Sequence, residues 1–200
     1  MRRNGALVRA LAAVGALALL ALLGAAVAGA VAVRRGFSTH EEPSALEAWA
    51  ARAARSLAVP ARVEALKNPV VETPETHAEA KAHWADHCAG CHANDGSGQT
   101  SVGQALYPRA PDMRARATQD LSDGELYGII QNGIRLTGMP AWGEPGDEAN
   151  RESWALVHFI RRLPRLPRED IEEMKGLNPR SRHELIEEQR EEEFLNDGQD

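Results

Sequence analysis

Both cysteines of the 200-residue chain stand in one hexapeptide, His87-Cys88-Ala89-Gly90-Cys91-His92. Two thiols separated by two residues, with an imidazole directly after the second, form a C-x-x-C-H pattern. The thiols of such a pattern add across the two vinyl groups of a haem, and the adjacent His reaches the iron from the proximal side. Two other uses of paired thiols fit less well. A redox dithiol of the thioredoxin kind follows a strand and opens a helix, whereas the residues entering this motif read as a helix. A structural zinc site takes four Cys or His ligands. His83, His87 and His92 are close in sequence, but the chain has no second Cys pair. The spacing favours one covalent haem c, attached through Cys88 and Cys91, with His92 on the iron.

A haem iron that only moves electrons takes a second axial ligand. Thr137-Gly138-Met139-Pro140-Ala141-Trp142 contains Met139, 47 residues beyond His92. A lone Met is ordinarily a flexible filler of cores. Between Gly and Pro it sits in a turn, which suits a loop laid against a haem face. Its thioether would raise the reduction potential relative to two nitrogen ligands and close the iron to O₂. His158 is a rival ligand by type, read instead as a surface or hydrogen-bonded residue. His40, His77 and His183 have no companions that suggest a site.

These groups need elements to hold them. Thr73 is a good N-cap, Pro74 suits the first helical position, and Glu75 favours the first turn. Ala80 and Trp84 then share a face. Asn94-Asp95-Gly96-Ser97-Gly98 reads as a turn-rich loop, and Tyr107-Pro108-Arg109-Ala110-Pro111-Asp112 as a loop shaped by its prolines. Ser122-Asp123-Gly124-Glu125 is a capping box. Leu126, Ile129, Ile130 and Ile134 follow at helical spacing, with Gly133 near the helix end. A last helix runs from about Asn150 to Leu163 and is stopped by Pro164. Its apolar face is Leu156, Phe159, Ile160 and Leu163.

From about His77 to Leu163, 87 of the 200 residues, the chain resembles a class I c-type cytochrome of the small bacterial kind. C-x-x-C-H and the later Gly-Met-Pro carry that resemblance. It implies an all-α fold, three to four helices around the covalent haem; the apolar N-terminal run adds a transmembrane helix before it. It implies that Cys88, Cys91, His92 and Met139 bind the haem, with His92 and Met139 on the iron. It also implies a proline carbonyl that accepts the proximal His hydrogen bond, Pro111 first and Pro108 second; such partners orient metal-bound rings. The first and last helices should cross where Ala80 stands in place of the family's usual Gly. The implied role is an electron carrier rather than an enzyme, exchanging single electrons with redox partners of a membrane chain. One rival is a haem subunit of a larger oxidoreductase: quinol-oxidising, terminal oxidase or dehydrogenase. A second is a haem sensor or peroxidase-like protein in which Met139 leaves the iron. A domain this small, in a chain with only 4% aromatic residues, leans on the haem for its core. Its apo form is therefore expected to fold poorly.

The flanks complete a four-part reading: anchor 1–33, stalk 34–76, cytochrome domain 77–163 and acidic extension 164–200. Leu11 to Val33 is 23 consecutive Leu, Val, Ala and Gly residues. As a helix this is about 34 Å long, enough for a hydrocarbon core of about 30 Å. It exceeds the usual apolar region of a signal peptide, so a retained single-pass anchor is expected. Cleavage at Ala28-Gly29-Ala30, giving a soluble periplasmic protein, is the alternative. Flanking basic residues are balanced, so orientation follows from haem attachment after export: the domain belongs on the periplasmic side of the bacterial inner membrane.

The stalk holds Pro43, Pro60, Pro69 and Pro74, and a helix capped at Ser44 whose Leu46, Trp49, Ala53 and Leu57 form a narrow stripe. A linker, and a spacer lying on the membrane or on the next domain, both remain open. The extension carries a net charge of −6 and offers Ile171, Met174 and Leu177 for docking on the domain. Its Glu runs serve either as a handle for a basic partner or as solvated chain. With 23 basic and 29 acidic residues overall, nothing supports nucleic-acid binding.

Overall fold

The computed structural model describes residues 2–36, 38–144 and 150–180, together with 186, 187, 190 and 194. The acidic runs expected to form a handle lie largely outside the described residues. Every regular element among those described is helical. In chain order these are α1 (Arg2–Arg35), α2 (Ala45–Ala58), α3 (Ala61–Glu64), α4 (Pro74–His83), α5 (Ala89–His92) and α6 (Ser101–Ala105). Then follow α7 (Arg116–Gln119), α8 (Asp123–Asn132), α9 (Arg151–Arg162) and α10 (Arg168–Lys175). A π-helical turn, Trp84–Cys88, joins α4 to α5, and a 3₁₀ turn, Leu163–Arg165, follows α9. The chain divides into two units, Met1–Thr39 and His40–Asp200.

The first unit is α1. Its stretch Val8–Arg34, with a mean hydropathy of 2.5, is long and apolar enough to cross a membrane. The helix persists because Ala and Leu are strong helix formers, and no charged side chain interrupts the run between Arg9 and Arg34.

In the second unit the capping signals close as hydrogen bonds. Ser44 accepts from the Glu47 amide, Thr73 from Thr76, Ser122 from Glu125 and Asn150 from Ser153. The box at α4 is completed by Thr76, and the one at α8 by Glu125. Helix α4 crosses α9. Ala80 is buried at the crossing, and just beyond it the Trp84 and Phe159 rings lie 5.4 Å apart. Trp84, Trp154, Phe159 and Leu156 are among the largest fully buried side chains. Burying each contributes on the order of 2–3 kcal/mol. At Trp84–Cys88 the ladder widens, with the Ala89 amide reaching back five residues to the Trp84 carbonyl. Such bulges recur at functional sites; this one leads into the first cysteine.

Packing in this unit continues across both ends of the 77–163 stretch. On the N-terminal side, Ser122 Oγ donates to the Glu64 carbonyl at 2.9 Å, and Asn68 Nδ2 donates to the Trp154 carbonyl at 2.8 Å. Gly124 lies so close to the Val63 carbonyl that a Cβ there would run into it. On the C-terminal side, Met174 of α10 is fully buried and Ile171 packs against the same core. Lys81 Nζ, itself buried, donates to Asp170 at 2.9 Å and also to Glu173. The flanking segments dock through both apolar contacts, Leu66 and Val70 on one side and Leu166, Ile171 and Met174 on the other, and these polar ties.

Candidate functional site

Cys88 ends the π turn, and Cys91 and His92 close α5. The two cysteines are not joined to each other. The backbone beyond them is fixed from several directions. Thr100 Oγ1 donates to the Cys91 carbonyl at 3.1 Å, and the Gly98 amide donates to the His92 carbonyl at 2.8 Å. Trp84 Nε1 donates to the Ala93 carbonyl at 3.1 Å, and its ring lies 5.9 Å from that of His92. His92 is therefore held between α4 and the loop that follows it.

A partly open cleft is lined by Trp84, Cys88, His92, Met113, Ile130, Met139, Trp142, Leu156 and Ile160. Met139 arrives on a loop folded back onto the end of α8. Its carbonyl accepts from the Ile134 amide at 3.1 Å, and its amide donates to Thr137 Oγ1 at 3.1 Å. The Trp142 amide donates to the Ile130 carbonyl at 3.0 Å. Gly133 turns at φ +63°, and a Cβ there would sit 2.6 Å from the Pro140 carbonyl carbon. Only glycine meets both conditions without strain. Trp142 is braced edge-on against His87, ring centroids 5.2 Å apart.

Burial sets the electrostatics. It pushes the Cys88 thiol up to about 12, with Cys91 adding to the rise. Burial also lowers the basicity of His92, opposed by the Pro111 carbonyl, which approaches the ring without closing a full hydrogen bond to the buried Nδ1. His83 is likewise lowered, by burial and then by its neighbour His87, against the pull of Glu152 and Asp86.

This set of groups suits a haem. A neutral thiol beside apolar walls suits a thioether bond to a large apolar ring, and a buried neutral imidazole suits an axial ligand. Among the described residues no group of three or more His, Cys, Asp or Glu is arranged to hold a bare metal ion, which leaves the zinc reading without ligands. Of the residues singled out from sequence, Cys88, His92 and Met139 line the one cleft, Cys91 is half-buried in α5, and Pro111 acts on His92. His158 is engaged elsewhere, its Nε2 lying 2.8 Å from the Val70 carbonyl. Sequence reasoning missed Met113, which lines the cleft from an otherwise polar loop. Trp142 stood in the quoted hexapeptide without a role.

Residues 75–160 match the family described as cytochrome c oxidase, cbb3-type, subunit III. No curated protein matches the chain. The matched stretch is a c-type cytochrome domain carrying covalently bound haem c. The protein is thus a haem-containing electron-transfer protein that works with redox partners of an electron-transfer chain.

Proposed function

We propose that the chain is a membrane-tethered class I monohaem cytochrome that relays single electrons between respiratory partners, its haem held by Cys88, Cys91, His92 and Met139. The observation that carries this reading is that His92 and Met139, 47 residues apart, line one apolar cleft with Cys88. When bound, the haem supplies a one-electron iron couple. The chain's own residues do the rest. His92 and Met139 supply a nitrogen and a sulfur ligand, a pairing that raises the potential. Trp84 and the Pro111 carbonyl orient the His92 ring. Ile130, Trp142, Leu156 and Ile160 exclude water and lower the local dielectric, which further sets the potential. Helix α1, retained as an anchor, keeps the domain at the periplasmic face of the membrane.

A second reading, a haem subunit of a terminal oxidase, is favoured by the family match. It predicts that the chain leaves detergent-solubilised membranes in a stable complex, whereas a carrier leaves alone.

The test of the carrier reading is optical. The haem-loaded chain is recorded oxidised, reduced, and reduced under CO, beside Met139→Ala. A methionine-type ferric charge-transfer band, lost in the variant, with no CO shift in the parent, is the expected result. A parent that binds CO readily would replace the carrier with an open-iron sensor or catalyst.

A further inference from the structure

Helix α2 presents an apolar stripe that the described residues of its own unit leave largely exposed: Leu46 is 73% exposed, Trp49 62% and Leu57 88%, with the small Ala53 between them half-buried. The helix is not loosely hung. Tyr107 Oη donates to Glu47 at 2.6 Å, and Arg109 pairs with Glu42 just before the helix at 2.9 Å. Ala48, Arg55 and Val59, on another side of α2, are half-buried. At 100° per residue, Glu47 sits about a third of a turn from the centre of the stripe. The ties therefore hold α2 while the stripe remains outside.

We propose that this stripe lies on the surface of the bilayer that holds α1; the inference rests on α1 being a retained anchor. Nine residues, 36–44, separate the two helices. Fully extended they reach only about 30 Å, a tether short enough for α2 to lie on the bilayer surface. Trp suits that depth, with an apolar ring and a polar N–H. Arg52 flanks the stripe, and Arg34 and Arg35 end α1. All three favour an anionic headgroup layer. A second copy or a partner protein fits less well. Three large side chains fall far short of the roughly 800 Å² per partner that a stable protein interface buries. The consequence is mechanical. Through Glu47–Tyr107 and Glu42–Arg109, the membrane-lying helix fixes which side of the cytochrome domain faces the lipid.

The experiment uses the full, haem-loaded chain in nanodiscs of phosphatidylcholine and phosphatidylglycerol. Single spin labels are placed through Trp49→Cys, Leu57→Cys, Ala51→Cys and Ala25→Cys, and their exposure to O₂ and to a water-soluble nickel chelate is compared. The label at 25 reports the anchor, and the label at 51 reports the side of α2 away from the stripe. The expected result is O₂-dominated exposure at 25, nickel-dominated exposure at 51, and values at 49 and 57 shifted from 51 toward 25. Nickel-dominated exposure at 49 and 57, with 25 still in lipid, overturns the α2 proposal and leaves the anchor standing. Labels at 49 and 57 shielded from both reagents overturn it in favour of a protein occupant. A nickel-exposed label at 25 overturns the anchor reading and the proposal with it.

Discussion

The His92 side of the cleft grows out of the core, whereas the Met139 side is a loop laid over it. His92 follows without a break from α4, the π turn and α5, and the Trp84 that orients it is among the most buried side chains of the chain. Met139 is held through turn hydrogen bonds and a glycine pivot, and its neighbour Leu136 is 93% exposed. The contrast separates two kinds of failure. Damage on the His92 side should unfold the domain, while damage on the Met139 side should change the iron's ligation and leave the helices in place.

The largest expected effect is therefore Trp84→Ala. It empties the buried space beside the α4–α9 crossing, against Phe159, and should destabilise the haem-loaded chain by about 3–5 kcal/mol in thermal or denaturant unfolding. A loss under about 1 kcal/mol, far below ordinary core truncations, would erase the distinction between the two sides. Gly133→Ala comes next. Strain at a positive φ, plus the collision with Pro140, should cost about 1–3 kcal/mol. Its helical dichroism should persist while the methionine band weakens; a variant that unfolds outright would show that the loop is part of the core.

Asp170→Asn probes the far side of α4. The Lys81 hydrogen bond holds the Asp170 carboxyl below the ordinary carboxylate range despite partial burial. A depressed acid contributes fully above its unfolded value, near 3.9, and loses that contribution as pH falls through the folded value. The variant should lose about 1–2 kcal/mol near neutrality, less than a fully buried charge pair would. Its stability should also fall less steeply than the parent's below about pH 4. Lys81 has the opposite sign. Burial works against its charge, but Glu173 and Asp170 outweigh that and raise it, so its contribution fades only at strongly alkaline pH. The smallest effect belongs to Met113→Leu, a volume-conserving change that should cost under about 1.5 kcal/mol and spare the methionine band. Loss of that band would move the sixth ligand from the loop to Met113.

The residues proposed to hold the haem stand out in the sequence because their spacing is local. Cys88, Cys91 and His92 fall within five consecutive residues, Met139 is marked by Gly and Pro, and Ser44, Thr73 and Ser122 cap helices within three residues of themselves. The Ala80–Trp84 face against Phe159 followed from helical periodicity and the resemblance together. What stayed hidden is non-local. Nothing in the acidic α10 announces that Asp170 and Glu173 neutralise a buried Lys81, or that the Val63 backbone needs Gly124 bare. The π turn leaves no mark either, because no periodic pattern encodes one extra residue per turn. Met113 stands alone in a polar loop, where residue type cannot separate a ligand from a filler.

The proposal that His92 and Met139 are the iron's two ligands is tested most directly by proton NMR of the reduced, haem-loaded chain. A methionine held on the iron lies in the ring current, and its methyl resonance moves far upfield. One such resonance is expected, lost in Met139→Ala and kept in Met113→Leu. Its persistence in Met139→Ala, or its absence from the parent, would remove Met139 from the iron.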